Sequence, residues 1–155
     1  MLQKIISGGQ TGADRAALDA ALKLSFSCGG HCPKNRQAED GPIVAKYSLT
    51  EIEGGYAERT EMNVIHSDGT VAFFNEHVSG GTSLTIENCK LHNKTSLLIN
   101  ISACKTSEAV MTLQEFVHLN DIRHLNIAGP RASDCPKMYD YVRAVIFALV
   151  KATED

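Results

Sequence analysis

The chain has 155 residues and a net charge of −3, from 15 basic and 18 acidic side chains. That is the size of one ordinary domain, residues 1–155, with no general attraction for a polyanion, which argues against nucleic acid as a partner. With 43% hydrophobic and 21% charged residues the composition is that of a folded protein and not of a disordered one.

Met1–Ile6 runs into glycine without a signal-like stretch, and the longest apolar run, seven residues at 144–150, falls far short of a membrane span. Cys28, Cys32, Cys89, Cys104 and Cys135 are odd in number and scattered, which reads as free thiols in a reducing compartment. The expectation is a cytoplasmic protein with no membrane partner.

Leu2–Ile6 is a short apolar run broken by Gly8-Gly9, and predicts a first strand. Ala13–Leu24 is rich in Ala and Leu, with Ala17, Leu18, Ala21 and Leu22 at helical spacing, and predicts the first helix. Phe26–Cys28 predicts a second strand, after which residues 31–55 are irregular and polar, a long loop of the kind that carries function. A helix over Tyr56–Ile65 ends at the turn signal Ser67-Asp68-Gly69, and Val71–Phe74 predicts a third strand. Helices over Thr82–His92 and Ser107–Asn120 then alternate with strands at Leu97–Ile101 and Leu125–Ala128. A last helix, capped by Ser133 or Asp134 with Pro136 in its first turn, carries the stripe Met138, Val142, Val145, Ile146 and Leu149. Strand alternating with helix five times predicts an α/β fold: a three-layer α/β/α, doubly wound, mainly parallel five-stranded sheet.

In such sheets ligands bind beyond the carboxyl ends of the strands. The first strand exits into Ser7-Gly8-Gly9-Gln10-Thr11-Gly12, followed by Asp14; glycine allows close backbone approach, and the helix that starts there offers free N–H groups to an anion. The spacing is neither that of a Walker A loop nor GxGxxG, yet this segment is the favoured seat for a phosphate, with a tight turn needed for packing alone as the alternative. Gly80, Gly81 and Thr82 precede a helix in the same manner, so two helix starts can face one ligand. Lys34, Arg36 and Arg131, the last after Gly129, are candidate phosphate partners, with solvated loop charges as the alternative. Arg59 and Asn63 share a helix face with Tyr56 and Thr60. Ser67 and Asp68 can read a ligand N–H, although the Asp-Gly turn also accounts for them. Cys28, His31 and Cys32 lack a second pair to complete a metal site, and there is neither a nucleophile elbow nor a telling carboxylate pair. No residue is assigned as catalytic or as a metal ligand.

Taken together, several stretches resemble the molybdenum cofactor (Moco) carrier protein family. They are Ser7 to Arg15, Cys32-Pro33-Lys34 with Ala38 to Gly41, Arg59-Thr60 with Asn63-Val64, Ser67 to Thr70, Ser79 to Thr82 with Leu84-Thr85, and Ala128 to Ser133. That family is similar to the Rossmann-like superfamily that includes LOG-type nucleotide phosphoribohydrolases. The resemblance implies a Rossmann-like fold, homo-oligomerisation and binding of the molybdenum cofactor (molybdopterin), a pterin with a dithiolene and one phosphate, and molybdoenzymes as recipients. LOG-type enzymes carry a glutamate shortly after their second glycine motif, where this chain has Thr85, with Glu87 two residues on. The favoured expectation is therefore a carrier that binds a phosphorylated pterin or nucleotide-like ligand without turnover. The alternatives are an enzyme acting on a nucleoside monophosphate, with Glu87, Arg131 or Asp68 in acid–base or positioning roles, and a nucleotide sensor.

Overall fold

Five short apolar runs become the strands of one parallel sheet in the computed structural model, which describes residues 1–155. In chain order the elements are β1 (Lys4–Ile6), α1 (Ala13–Lys23), β2 (Cys28–Gly29), β3 (His31–Cys32), β4 (Gln37–Ala38), β5 (Gly41–Pro42), β6 (Thr50–Glu51), α2 (Tyr56–Ile65), β7 (Gly69–Phe74), α3 (Gly80–Leu91), β8 (Thr95–Asn100), α4 (Thr106–Leu119), β9 (His124–Ala128) and α5 (Met138–Glu154). The main sheet runs β2-β1-β9-β7-β8, every neighbour parallel.

The connections cross the sheet in both directions. β1 to β2 and β8 to β9 run one way, and β2 to β7 and β7 to β8 the other. Right-handed crossovers then put α1 and α4 on one face and α2 and α3 on the opposite face. Packing agrees: α5 lies against α1 and α4, while α2 pairs with α3. The expected doubly wound parallel α/β sheet is the observed one.

Several details differ from the sequence expectation, and β7 and β8 each begin two residues early. α3 begins at Gly80, two residues early. α5 begins at Met138, because Asp134 and Cys135 N–H turn back to the Arg131 carbonyl and Met138 N–H to that of Cys135, so the preceding residues form turns. The segment expected as one loop carries two small ribbons, β3 parallel to β6 and β4 antiparallel to β5.

The two faces of the sheet are unlike. On the first, Ala16, Ala17, Ala20 and Ala21 of α1 are fully buried, and their small side chains let α5 approach closely with Val142, Val145, Ile146 and Leu149. These residues belong to an apolar cluster of 22 buried residues that also takes in Ile5, Val71, Phe73, Leu125 and Ile127 from the sheet. On the second face the buried residues of α3 are Thr82, Thr85, Asn88 and Cys89, and those of α2 are Asn63 and Val64. The strands contribute buried Thr70 and Asn126, joined by a 3.2 Å hydrogen bond from Asn126 Nδ2 to Thr70 Oγ1. The stability of the chain therefore rests on the first face. Ile146→Ala should lower the free energy of unfolding by about 2–5 kcal/mol, read as an earlier urea midpoint at unchanged m-value.

Candidate functional site

A cavity of about 300 Å³ opens at the carboxyl ends of β1, β9 and β7. It lies where the chain leaves β1 for a helix on one face and β7 for a helix on the other, the place where an open α/β sheet parts into a crevice.

The loop after β1 forms the first wall. Gly12 adopts φ +79°, open to glycine and costly to other residues, and a methyl group there would overlap the Pro130 carbonyl. The amides of this loop are largely satisfied from within. Gly9 N–H reaches Ser7 Oγ (3.4 Å), Gln10 N–H reaches Asp14 Oδ2 (3.3 Å), Thr11 N–H reaches Gln10 Oε1 (3.0 Å) and Ala13 N–H reaches the Pro130 carbonyl (3.2 Å). The positive end of α1 thus receives the chain's own carboxylate.

Asp14 also pairs with Arg59 of α2, Nη1 to Oδ2 at 3.0 Å, with side chains only 7% and 11% exposed. Burial pushes the Asp14 carboxyl up; Arg59, the Gln10 N–H and Arg15 oppose that shift without cancelling it. The Arg59 guanidinium lies across Gly8, where any side chain would collide with it, and sits 5.7 Å from the Tyr56 ring centroid.

The start of α3 forms the second wall, and it is open. Gly80 takes φ +55°, and side chains built at Gly80 or Gly81 would meet nothing within 4 Å. The N–H groups of Gly80, Gly81 and Thr82 have no partner in the protein, and Ser79 supplies no side-chain cap. Three unpaired amides at the positive end of a 12-residue helix, facing a cavity, can receive an anion without any charged side chain.

The third wall is the exit of β9. Asn126, Gly129 and Arg131 line the cavity. Gly129 is pressed against Ala13, where a side chain would come within 2.6 Å of the Ala13 Cβ. Arg131 donates from Nε to Asp134 at 3.1 Å and lies 3.6 Å from Glu39. On α2, Tyr56, Arg59, Thr60 and Asn63 face the cavity at the helical spacing read from the sequence. Asn63 also holds the β3 backbone, accepting from His31 N–H at 2.7 Å and donating to its carbonyl at 3.0 Å.

The cavity therefore brings together Gly8, Gln10, Asp14, Arg59, Asn63, Gly80, Gly81, Thr82, Gly129 and Arg131. Seven other sequence candidates lie outside its lining. Gly9 backs onto Leu49 and Ile43, and Gly12 onto the loop after β9. The Thr11 hydroxyl bonds Glu39 and accepts from Ala132 N–H at 3.0 Å. Lys34 pairs with Glu53 at 3.2 Å in solvent. Arg36 is turned into its own loop, donating to the carbonyls of Ile43 (2.7 Å), Val44 (3.0 Å), Tyr47 (2.7 Å) and Leu49 (3.4 Å). Ser67 donates to the Val64 carbonyl at 2.9 Å, and Asp68 accepts from Arg123 N–H (3.0 Å) and His124 N–H (2.7 Å). These last two precede β7, so they sit at the amino ends of the strands, opposite the cavity.

Two residues escaped the sequence reading. Asn126 was visible as a lone amide between Leu125 and Ile127 in an otherwise apolar strand. Glu39 stands in the Ala38 to Gly41 stretch of the resemblance, with no chemical signal of its own. It reaches across from the β4–β5 turn to accept from Ser133 N–H at 3.2 Å, from the Ser133 hydroxyl and from Thr11 Oγ1, strapping the loop after β9 to the loop after β1. The Ser133 and Thr11 hydroxyls hold its carboxyl below the ordinary value. A depressed carboxyl contributes stability that is present above the unfolded value and lost as pH falls through the folded one. Glu39→Gln should accordingly lose less thermal stability than the parent between about pH 5 and pH 3 in a melt series.

Fold and cavity define a doubly wound α/β protein with a ligand-sized crevice at its switch point. Residues 5–150 match the model of the Circularly permutated YpsA SLOG family, and the chain belongs to that family. The chain is also similar to a crystal structure at 1.45 Å resolution described as "Putative molybdenum carrier protein" from Syntrophus aciditrophicus SB. The two share 39% identity over 96% of this chain and 95% of that one, with a TM-score of 0.94. No curated protein is matched. No helix of the chain is long and apolar enough to cross a membrane.

Proposed function

We propose that the cavity carries one small phosphorylated ligand with a heterocyclic body and releases it unchanged. The molybdenum cofactor (molybdopterin) is the favoured cargo and a nucleoside monophosphate the alternative. One observation carries this reading: the unpaired amides of Gly80, Gly81 and Thr82 face a cavity whose opposite wall is already neutralised by the Asp14–Arg59 pair. An anion is favoured at the first and disfavoured at the second.

The residues suit the cofactor's organic part. Gly80, Gly81 and Thr82 would hold its single phosphate, and Gln10, Asn126 and Asp14 would meet the polar edges of the pterin. A volume of about 300 Å³ lies at the lower end of the range for small-molecule sites. The lining has no Cys or His, so this cavity suits cargo held by its pterin and phosphate. The similar structure's description as a molybdenum carrier supports carriage over turnover. On this reading the chain works in the cytoplasm as a homo-oligomer that hands its cargo to molybdoenzymes.

Turnover has little to work with. Glu87 lies exposed on α3, outside the lining. The carboxylates that do line the cavity are Asp14, held by Arg59, and Asp134, held by Arg131. Both are thereby tied to an arginine, which favours a binding role over general acid–base work on a glycosidic bond.

Gly81→Val tests the seat, because a Cβ there has no protein atom within 4 Å and the branched side chain would crowd the approach to the amides. The variant should melt near the parent temperature. A phosphorylated ligand at 100 times its dissociation constant should stabilise the parent by about 2.7 kcal/mol, a shift of several degrees, and the variant not measurably. Molybdopterin and nucleoside monophosphates are the probes, and an undiminished shift in the variant would contradict the seat.

A further inference from the structure

The polar groups on the cavity wall are not evenly matched, and the mismatch specifies the heterocycle. Asp14 Oδ2 takes the Arg59 and Gln10 hydrogen bonds, while its other oxygen has no partner in the protein and is not sealed off, in a residue that lines the cavity. The side chain is otherwise more than nine-tenths buried. Asn126, 3% exposed, is in the same state: Nδ2 donates to Thr70 Oγ1, and Oδ1 is left without a donor yet unsealed. Gln10 is the reverse. Its Oε1 accepts from both Thr11 N–H (3.0 Å) and Glu39 N–H (2.9 Å), which fixes the amide's orientation and leaves Nε2 as an unpaired donor. All three residues line the cavity.

These three residues therefore offer two acceptors and one donor whose other bonds within the protein are already made. A ligand that removes water from them must supply two donors and one acceptor, or leave a buried group unmet. Building on the phosphate-binding reading above, we infer that Asp14, Asn126 and Gln10 select a 2-amino-4-oxo heterocycle edge, the exocyclic amine, ring N–H and carbonyl shared by guanine and the pterins. Adenine fits poorly: its amine satisfies one acceptor, but the neighbouring ring nitrogen is itself an acceptor and faces the other one. Hypoxanthine keeps the ring N–H and carbonyl and lacks the amine. Selection thus works by repulsion and desolvation against the wrong edge as much as by attraction to the right one.

The test is isothermal titration of the full chain with GMP, IMP, AMP and neopterin monophosphate. GMP and the pterin phosphate should bind about tenfold or more tighter than IMP and AMP, the factor that one unmet buried acceptor imposes. IMP equal to GMP, or AMP the tightest, would overturn the selection while leaving phosphate binding in place. Failure of all four to bind would overturn the phosphate reading, and the selection with it. Of Asp14→Asn and Asn126→Leu, the one at the acceptor that meets the amine should bring the GMP-to-IMP ratio toward one, and the one at the acceptor that meets the ring N–H should weaken both nucleotides alike. A full ratio with undiminished GMP affinity in a folded variant at either position would overturn the assignment.

Discussion

A carboxylate this deeply buried must be met, and the way Asp14 is met governs the rest of the site. Arg59 crosses from α2 to reach it, and the loop after β1 donates the Gln10 N–H to the same oxygen. Removing one partner of such a pair costs on the order of 3–5 kcal/mol, because the other charge is left stranded. The pair therefore holds α2 over the end of β1. It also neutralises the helix start that a glycine-rich loop would otherwise offer to a ligand. The helix-start amides left without a partner are those of α3, whose first turn has no such internal anion.

The division between the two faces of the sheet makes this arrangement affordable. α1, α4 and α5 cover one face with a layer whose buried core is apolar. The opposite layer can then hold Asn63, Thr70, Thr82, Thr85 and Asn126 with few apolar contacts, and so keep an opening between helices and sheet. The long segment before α2 is ordered by a different device. Arg36 gathers four carbonyls, and Tyr47 donates to Asp19 at 2.6 Å, so that Ile43 and Leu49 close over Gly9. A loop with little regular structure is made firm by one guanidinium and one phenol.

Much of the framework was legible because it is written in local periodicity. The alanines of α1, the stripe from Met138 to Leu149 and the alternation of strand with helix each predict their own element. The strand order was not, since the insertion of β9 between β1 and β7 depends on contacts far apart in the chain. Glycines showed where backbone could be open, at Gly8–Gly12 and at Gly80-Gly81, but not which of those amides the protein itself satisfies. That depends on where Asp14 and Pro130 fall in three dimensions. Arg36 looked like Lys34 in sequence, yet one folds inward to carbonyls and the other stays in solvent. Ser67 and Asp68 were within reach of a simple rule: they precede a strand, so they lie at the wrong end of the sheet for the crevice.

On the proposed reading the phosphate sits at the start of α3 and not at the start of α1. Amide chemical shifts of the 15N-labelled chain during titration with a nucleoside monophosphate test it directly. The resonances of Gly80, Gly81 and Thr82 should move most and saturate together. Large movements confined to Gly8 through Gly12, with the α3 amides still, would contradict it.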